Sequence, residues 1–359
     1  MNFSTVSEKQ SRSESLTPGD RFAAVMSGDS GMRSLFLRNF TVSLDALSLK
    51  TTDIFSEKYD SEKASDSIAA FQKITGQDAV VGCIHSPAFI VEQFGGGMKY
   101  PEHGIPTVTK APISSPDSLE NLCTVPKGKA LDAIESYRLT RKKLPDIAVV
   151  ANITGPLTKA SVMMGMEQLS FAILSDKDYV RDVIKIGTEF TYFALESMYR
   201  DNSVDSTFIA SASDNNDLFG GDALSEFTFP YLKDAVSKVH KIGSTVTFHP
   251  HGDYTEKDLI EKSIKTGIDC FQFAENNDPV KIHDSIGKKC AVMGGTDIVP
   301  VLYSGTEQEI RDSVGYFMKI FSDSRYIFSC SCSLQTGTPL DNIRVLSEEF
   351  HSICSGETD

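Results

Sequence analysis

His249 and His251 stand two residues apart, with Pro250 between them. In an extended segment, residues two apart leave the same face, and proline favours and stiffens that conformation. Two imidazoles placed in this way, joined by one thiolate from elsewhere, would make a metal set with one position open. That is the donor pattern of catalytic zinc, whereas structural zinc fills every position with protein. Cys330-Ser331-Cys332 offers the thiolate, and by the same spacing its two cysteines share a face, so spacing does not choose between them. The plainer reading of the histidines is a hydrogen-bonded pair at a strand end. A thiol source at another strand end sets the metal reading level with it.

Both segments close a short apolar run. Such runs, rich in Val, Ile and Phe, lie at 34–40, 79–84, 147–152, 207–211, 244–248, 269–273, 290–294 and 326–329. They read as strands buried on both faces. Helical patterns at 65–75, 128–141, 176–198, 223–242, 255–266 and 306–321 separate them. Strands alternating with helices in one uninterrupted stretch predict a closed parallel (β/α)₈ (TIM) barrel over residues 16–359. Residues 94–119, rich in Gly and Pro, read as an insertion over that barrel, and residues 1–15 as a mobile arm.

Barrel enzymes place their chemistry at the C-terminal ends of the strands. The second run is followed by His85, the third ends in Asn152, and the fourth leads into Ser211 and Asp214-Asn215-Asn216-Asp217. Glu275 follows the sixth run and Asp297 the seventh. Asp214, Glu275 and Asp297 are therefore the candidate catalytic acids, able to orient a substrate or protonate a leaving group. His85, Asn152, Ser211, Asn215 and Asn216 are candidate substrate contacts, although Asn and Asp in a row also make turns by default. Cys83, Cys270 and Cys290 sit inside apolar runs and read as small buried hydrophobes. No Gly-x-Gly-x-x-Gly follows a strand, and Gly-x-Ser-x-Gly is absent, so neither a dinucleotide site nor a serine hydrolase is supported.

The net charge of −14 argues against a nucleic-acid partner, because phosphate affinity needs clustered Lys and Arg. Seven irregularly spaced cysteines in 359 residues do not form a disulfide framework and fit a reducing cytoplasm. No apolar run approaches the roughly 18 residues of a membrane span, and the polar, Ser-rich start does not resemble a signal peptide.

Several longer motifs resemble one family. Ile153-Thr154-Gly155-Pro156-Leu157-Thr158 closing on Gly165, Phe229-Pro230-Tyr231, Gly294-Gly295-Thr296-Asp297 with Gly305-Thr306, and Thr338-Pro339-Leu340-Asp341-Asn342 follow the order of the uroporphyrinogen decarboxylase superfamily. The resemblance covers the chain from about Leu16 onward and itself implies a (β/α)₈ barrel. The porphyrin decarboxylases of that superfamily use a strand-two aspartate and paired strand-one arginines. Here Ile84-His85-Ser86-Pro87 holds no Asp, and Arg38 matches one arginine while the other position falls near Val42. The chain is more similar to the zinc-dependent methyltransferases that work with corrinoid proteins, such as the methylcobamide:coenzyme M methyltransferases; residues 93–122 share that likeness. Their ligands are a His-x-Cys pair and a later Cys. The resemblance implies His249 for the His, His251 in place of the first Cys, and Cys332 for the second.

What the resemblance implies is a zinc enzyme that exchanges methyl between a cobalamin-carrying corrinoid protein and a small acceptor such as a thiol. One alternative is a demethylase passing methyl from a methoxy or methylamine substrate to cob(I)alamin. A metal-free decarboxylase and a non-catalytic tetrapyrrole-binding barrel are the other readings.

Overall fold

The computed structural model describes residues 16–84, 87–256 and 258–356. The expected arm at 1–15 and His85 lie outside the described residues.

Each apolar run contains a strand: β1 (Arg33–Leu35), β2 (Ala79–Val81), β5 (Ala148–Thr154), β6 (Ser206–Asn215), β7 (Thr245–His251), β8 (Cys270–Gln272), β9 (Ala291–Thr296) and β10 (Tyr326–Cys330). They form one eight-stranded sheet in the order β1-β10-β9-β8-β7-β6-β5-β2, with every pairing parallel. Side chains close the seam between its two ends. The Leu35 amide donates to Asp78 Oδ2 at 3.0 Å and the Leu37 amide to Gln77 Oε1 at 2.8 Å. The Val81 amide donates to Asn39 Oδ1 at 2.9 Å, and Asp78 N donates back to Leu35 O at 2.9 Å. The result is the expected (β/α)₈ barrel, with a seam zipped by Asn, Gln and Asp rather than by a backbone ladder.

Alternate residues of one strand fall into separate cores. Ala79, Val81, Val150, Phe208, Met293 and Ile327 join an inner cluster, while Val80, Val149, Val292 and Phe328 join the outer one under the helices. Residues of odd and even parity are thus apolar for different reasons, which explains why the runs show no alternation. The helix Pro18–Ser27 inserts Phe22, Val25 and Met26 into the inner cluster, and so covers the N-terminal end of the barrel.

The structure differs from the expected elements in identifiable ways. Of the run at 34–40, only its first two residues lie in β1, and the chain then turns into the 3₁₀ helix Thr41–Leu47. The predicted helix at 223–242 is two helices, Asn216–Phe227 and Phe229–Lys241, because Pro230 is tolerated only in a first turn. The pattern at 255–266 shortens to Leu259–Lys265. Within 94–119 the structure places a hairpin of β3 (Gly97–Lys99) and β4 (Thr107–Lys110), where the Gly and Pro content predicts only an irregular insertion. The helices Pro156–Met164, Met166–Ser175 and Leu340–Ser355 were also not anticipated.

Candidate metal centre at the barrel mouth

Phe248 packs into the outer core, so its strand neighbour His249 must point into the barrel. β7 continues past the apolar run to His251, and both imidazoles therefore project inward, with ring centroids 4.8 Å apart. β6 adapts to this extension. It pairs Ala210 with His249 and Asn215 with His251, and the register slips between Ser211 and Asn215. Cys332 arrives from the other side, two residues beyond the end of β10. One ligand atom from each of His249, His251 and Cys332 can be chosen so that all lie within 4.8 Å of one another. The Cys332 Sγ to His251 Nε2 distance is 3.6 Å. Tetrahedral zinc, with bonds of about 2.0–2.1 Å to N and about 2.3 Å to S, separates such donors by roughly 3.5 Å.

His249 supplies an independent test of fit. It is buried to 1% exposure, and neither ring nitrogen has a hydrogen-bond partner of ordinary geometry. Buried polar atoms are normally paired, so this is not the satisfied core histidine of the plainer reading. Two nitrogens and one sulfur, one of the nitrogens orphaned, fit a zinc ion.

Cys330 does not share this place. It lies in the outer core, and burial pushes its thiol up. The equal-spacing argument fails here because the strand ends at Cys330, and the chain turns before Cys332.

The charges are arranged for ionised sulfur. Burial opposes ionisation of Cys332, but His249, His251 and the Arg38 guanidinium outweigh it and hold the thiol well below its ordinary value. Burial likewise opposes protonation of His251, but the Cys332 thiolate and Glu275 overcome it and raise the ring above its usual value. Burial dominates at His249 and lowers it to about 4, so this imidazole is neutral and keeps a lone pair for metal.

A profile of the uroporphyrinogen decarboxylase (URO-D) family matches residues 20–353. The chain belongs to the uroporphyrinogen decarboxylase family. Two curated relatives, both methylcobamide:CoM methyltransferases named MtbA, come from Methanosarcina acetivorans and Methanosarcina mazei. They are 20% and 22% identical to this chain over 293 residues, which is 80% of it and 84% of each relative. Among solved structures, a methyltransferase from Methanosarcina mazei superposes with a TM-score of 0.82 at 19% identity, covering 94% of this chain and 99% of that one. A B12-independent methionine synthase from Shewanella sp. W3-18-1 gives 0.51 at 15% identity, covering 82% and 89%. At these identities the structural likeness shows the fold.

Within this URO-D barrel the other expected site residues separate into groups. Asn152 faces inward, and Arg38 Nη2 donates to its Oδ1 at 3.4 Å. Glu275 is exposed at the rim and Asp297 is half-buried; burial first and Glu275 second push the Asp297 carboxyl up. Ser211 and Asp214 are turned away from the metal set. Both pack against Gly155, where a Cβ would come within 1.9 Å of Ser211 Oγ and 2.6 Å of Asp214 Oδ2. Asp214 is fully buried and accepts from the Leu157 and Thr158 amides and from the Thr158 and Thr228 hydroxyls. The expected catalytic acid Asp214 is thus an anchor for the helix Pro156–Met164, its oxygens already used. Asn215 accepts from Asp217 N at 2.8 Å and caps the next helix, while Asn216 Nδ2 donates to Asp253 O at 2.9 Å. The turn reading fits these two asparagines better than direct substrate contact.

Arg38 lines the mouth beside Cys332, a place that its family match alone does not give. The signal was available: Ser34, Phe36 and Arg38 alternate, Phe36 is an inner-core residue, and Arg38 continues that face into the mouth. Val42, where the decarboxylase pattern wants a second arginine, is fully buried in the helix Thr41–Leu47.

Proposed function

We propose that this chain is a zinc-dependent methyltransferase that moves a methyl group between a corrinoid carried by a partner protein and a small acceptor such as a thiol. The convergence of His249, His251 and Cys332 at the barrel mouth carries the reading. The activity printed in the names of both curated relatives supports the corrinoid. When bound, zinc would supply the Lewis acidity that favours the ionised form of the acceptor thiol. In the thiol direction the Co–C electron pair stays on cobalt as cob(I)alamin, a sulfur lone pair forms the new S–C bond, and the thiol proton passes to solvent. His249 would contribute a neutral lone pair and Cys332 a negative charge. Asp297, held above the usual carboxylate range beside Glu275, is placed at the rim to take up or return a proton. The corrinoid is bulky and the site opens at a mouth, so the partner would dock there, with residues 94–119 adjusting. None of the seven cysteines is in a disulfide, and no described helix is long and apolar enough to cross a membrane; we place the reaction in the cytoplasm.

The purified protein is expected to carry about one zinc per chain and to demethylate methylcobalamin, poorly when the corrinoid is offered free of its carrier. It should form no coproporphyrinogen from uroporphyrinogen. A carefully purified preparation that takes up no zinc would sink the reading.

His251 gives a reason to keep the reverse reaction in view. Zinc with two neutral imidazoles and one thiolate has a formal charge of +1, against zero with one imidazole and two thiolates. The more positive centre better holds an oxygen or nitrogen leaving group, as demethylation of a methoxy or methylamine compound requires. Converting His251→Cys is expected to raise thiol methylation relative to methyl transfer onto cob(I)alamin. An unchanged ratio would mean that ligand charge does not set direction.

A further inference from the structure

On the flank of the barrel two neighbouring helices stand apart. The helix Lys177–Arg200 leads into β6 and the helix Phe229–Lys241 into β7, so both run in the same direction. One bridge joins them: the Tyr192 hydroxyl donates to Asp234 Oδ2 at 2.9 Å, and the Lys238 ammonium lies 3.7 Å from the Tyr192 ring centroid. Along the same helices runs a groove of about 960 Å³. It reaches Asp205 and Ser244, which directly precede β6 and β7, so it lies toward the end of the barrel remote from the metal set.

The floor of this groove is apolar. Leu195, Val204 and Val239 are buried there, and the Tyr199 hydroxyl is bound by Thr207 at 2.6 Å and by Ser244 at 3.0 Å. Each lip carries an exposed apolar side chain, Phe193 at 44% on one and Ile242 at 54% on the other. A lone exposed hydrophobe is ordinary. Two that flank an apolar floor make a continuous patch, and such patches are where partners bind.

The charges on the lips say which partner fits. The helix Lys177–Arg200 offers Glu189 and Glu196 to the groove, and the other helix offers Lys238 and Lys241. Among the described residues only Lys238 of these four forms an ion pair, with Asp234 of its own helix. Tyr192 is level with Asp234 and Lys238, so Glu196, one turn further on, is level with Lys241 across the groove. Of the other charges at the groove, Asp205 is paired with Arg141, and Arg200 stands level with the uncharged turn at 242–244. An acidic lip beside a basic one is complementary to its own image. A half-turn about an axis along the groove lays the acidic lip of each copy on the basic lip of the other, and floor on floor, at an unchanged level.

We propose that this groove is the face through which two copies of the chain pair, side by side. The half-turn keeps the helix direction, so both mouths point the same way and both stay open. The facing stretch 189–200 is about 18 Å long. A flank of that length buries less than the roughly 800 Å² per partner of a tight interface, so the dimer is a reversible one with a dissociation constant of roughly micromolar order.

Sedimentation velocity on the intact chain, at low salt and from roughly 1 to 200 µM, should show a monomer passing into a dimer. Glu196→Lys puts lysine against lysine at both contacts of the pair, and Lys241→Glu puts glutamate against glutamate. Each change should raise the dissociation constant by about tenfold or more. Both residues are exposed, so circular dichroism of the monomers should match the parent. An equal mixture of the two variants forms a mixed dimer with opposite charges at both contacts, and its affinity should return to within about threefold of the parent. Ile242→Asp should also dissociate the pair, and mixing it with either variant should not restore it. A chain that stays monomeric throughout would overturn the proposal, and so would a dimer indifferent to both charge reversals or a mixture that fails to recover. A monomer whose groove is nonetheless shielded from hydrogen exchange would give the groove to another occupant and overturn it as well.

Discussion

Cys332→Ala is expected to abolish retention of zinc and to lower kcat/KM for methyl transfer by about a thousandfold or more, equivalent to roughly 4 kcal/mol of transition-state stabilisation. Cys332 supplies the one sulfur and the one negative charge among the metal set. Without it two imidazoles remain, a pair too weakly donating to hold zinc against dilution. The fold should survive, because Cys332 lies beyond the end of β10 and is only partly buried. Circular dichroism and the unfolding midpoint should therefore stay close to those of the parent while metal analysis falls to background. His251→Ala should behave in the same way, being only partly buried at the tip of β7. His249→Ala should also lose metal, but it removes a fully enclosed ring packed at a tilt against Phe208, so some stability goes with it. The decisive comparison is Cys330→Ala. If that change removes the zinc and Cys332→Ala does not, the assignment at this strand end is wrong.

The barrel was legible because a strand buried on both faces writes its burial into every residue. All eight apolar runs contain a barrel strand, and their order along the chain is the order around the sheet apart from the crossing of β1 to β10. What could not be read was where each strand stops. A ladder ends when the partner strand turns away, and nothing local announces this at Leu35 or at Cys330. The same limit explains the cysteines. Period-two parity held at His249 and His251, which lie inside β7, and failed for Cys330 and Cys332, which straddle a strand end.

The polar residues show a second limit. Sequence position put Ser211, Asp214, Asn215 and Asn216 at the mouth, and they do lie at that end of β6. Position along a strand does not say which way a side chain faces once the strand bulges, and the slip between Ser211 and Asn215 turned these groups outward or into caps. Arg38, conversely, sits within the apolar run 34–40, where its charge alone does not say that it turns inward. Its place beside Cys332 shows only once the inner face of β1 is known, because burial is a statement about three dimensions.

Asp214→Ala should be the most damaging change outside the metal set, at about 3–5 kcal/mol of folding stability. The carboxylate takes two donors on each oxygen: the Leu157 amide and the Thr228 hydroxyl at 3.1 and 2.7 Å on Oδ1, and the Thr158 amide and hydroxyl at 3.3 and 3.1 Å on Oδ2. Two of these are first-turn amides of the helix Pro156–Met164, which have no partner within their own helix. Removing the acceptor strands four buried donors, and a water can answer only some of them. Asp214→Asn should cost less but still roughly 2 kcal/mol, because its amide nitrogen faces donors where an acceptor is needed. The effect should reach the metal as well. Asp214 sits inside the β6 bulge that registers Asn215 against His251, so loosening it frees the tip of β7. The expected observation is a lower denaturation midpoint accompanied by weaker zinc binding in both variants, larger for Ala. Loss of methyl transfer with unchanged stability and full zinc would instead restore Asp214 to the role of catalytic acid.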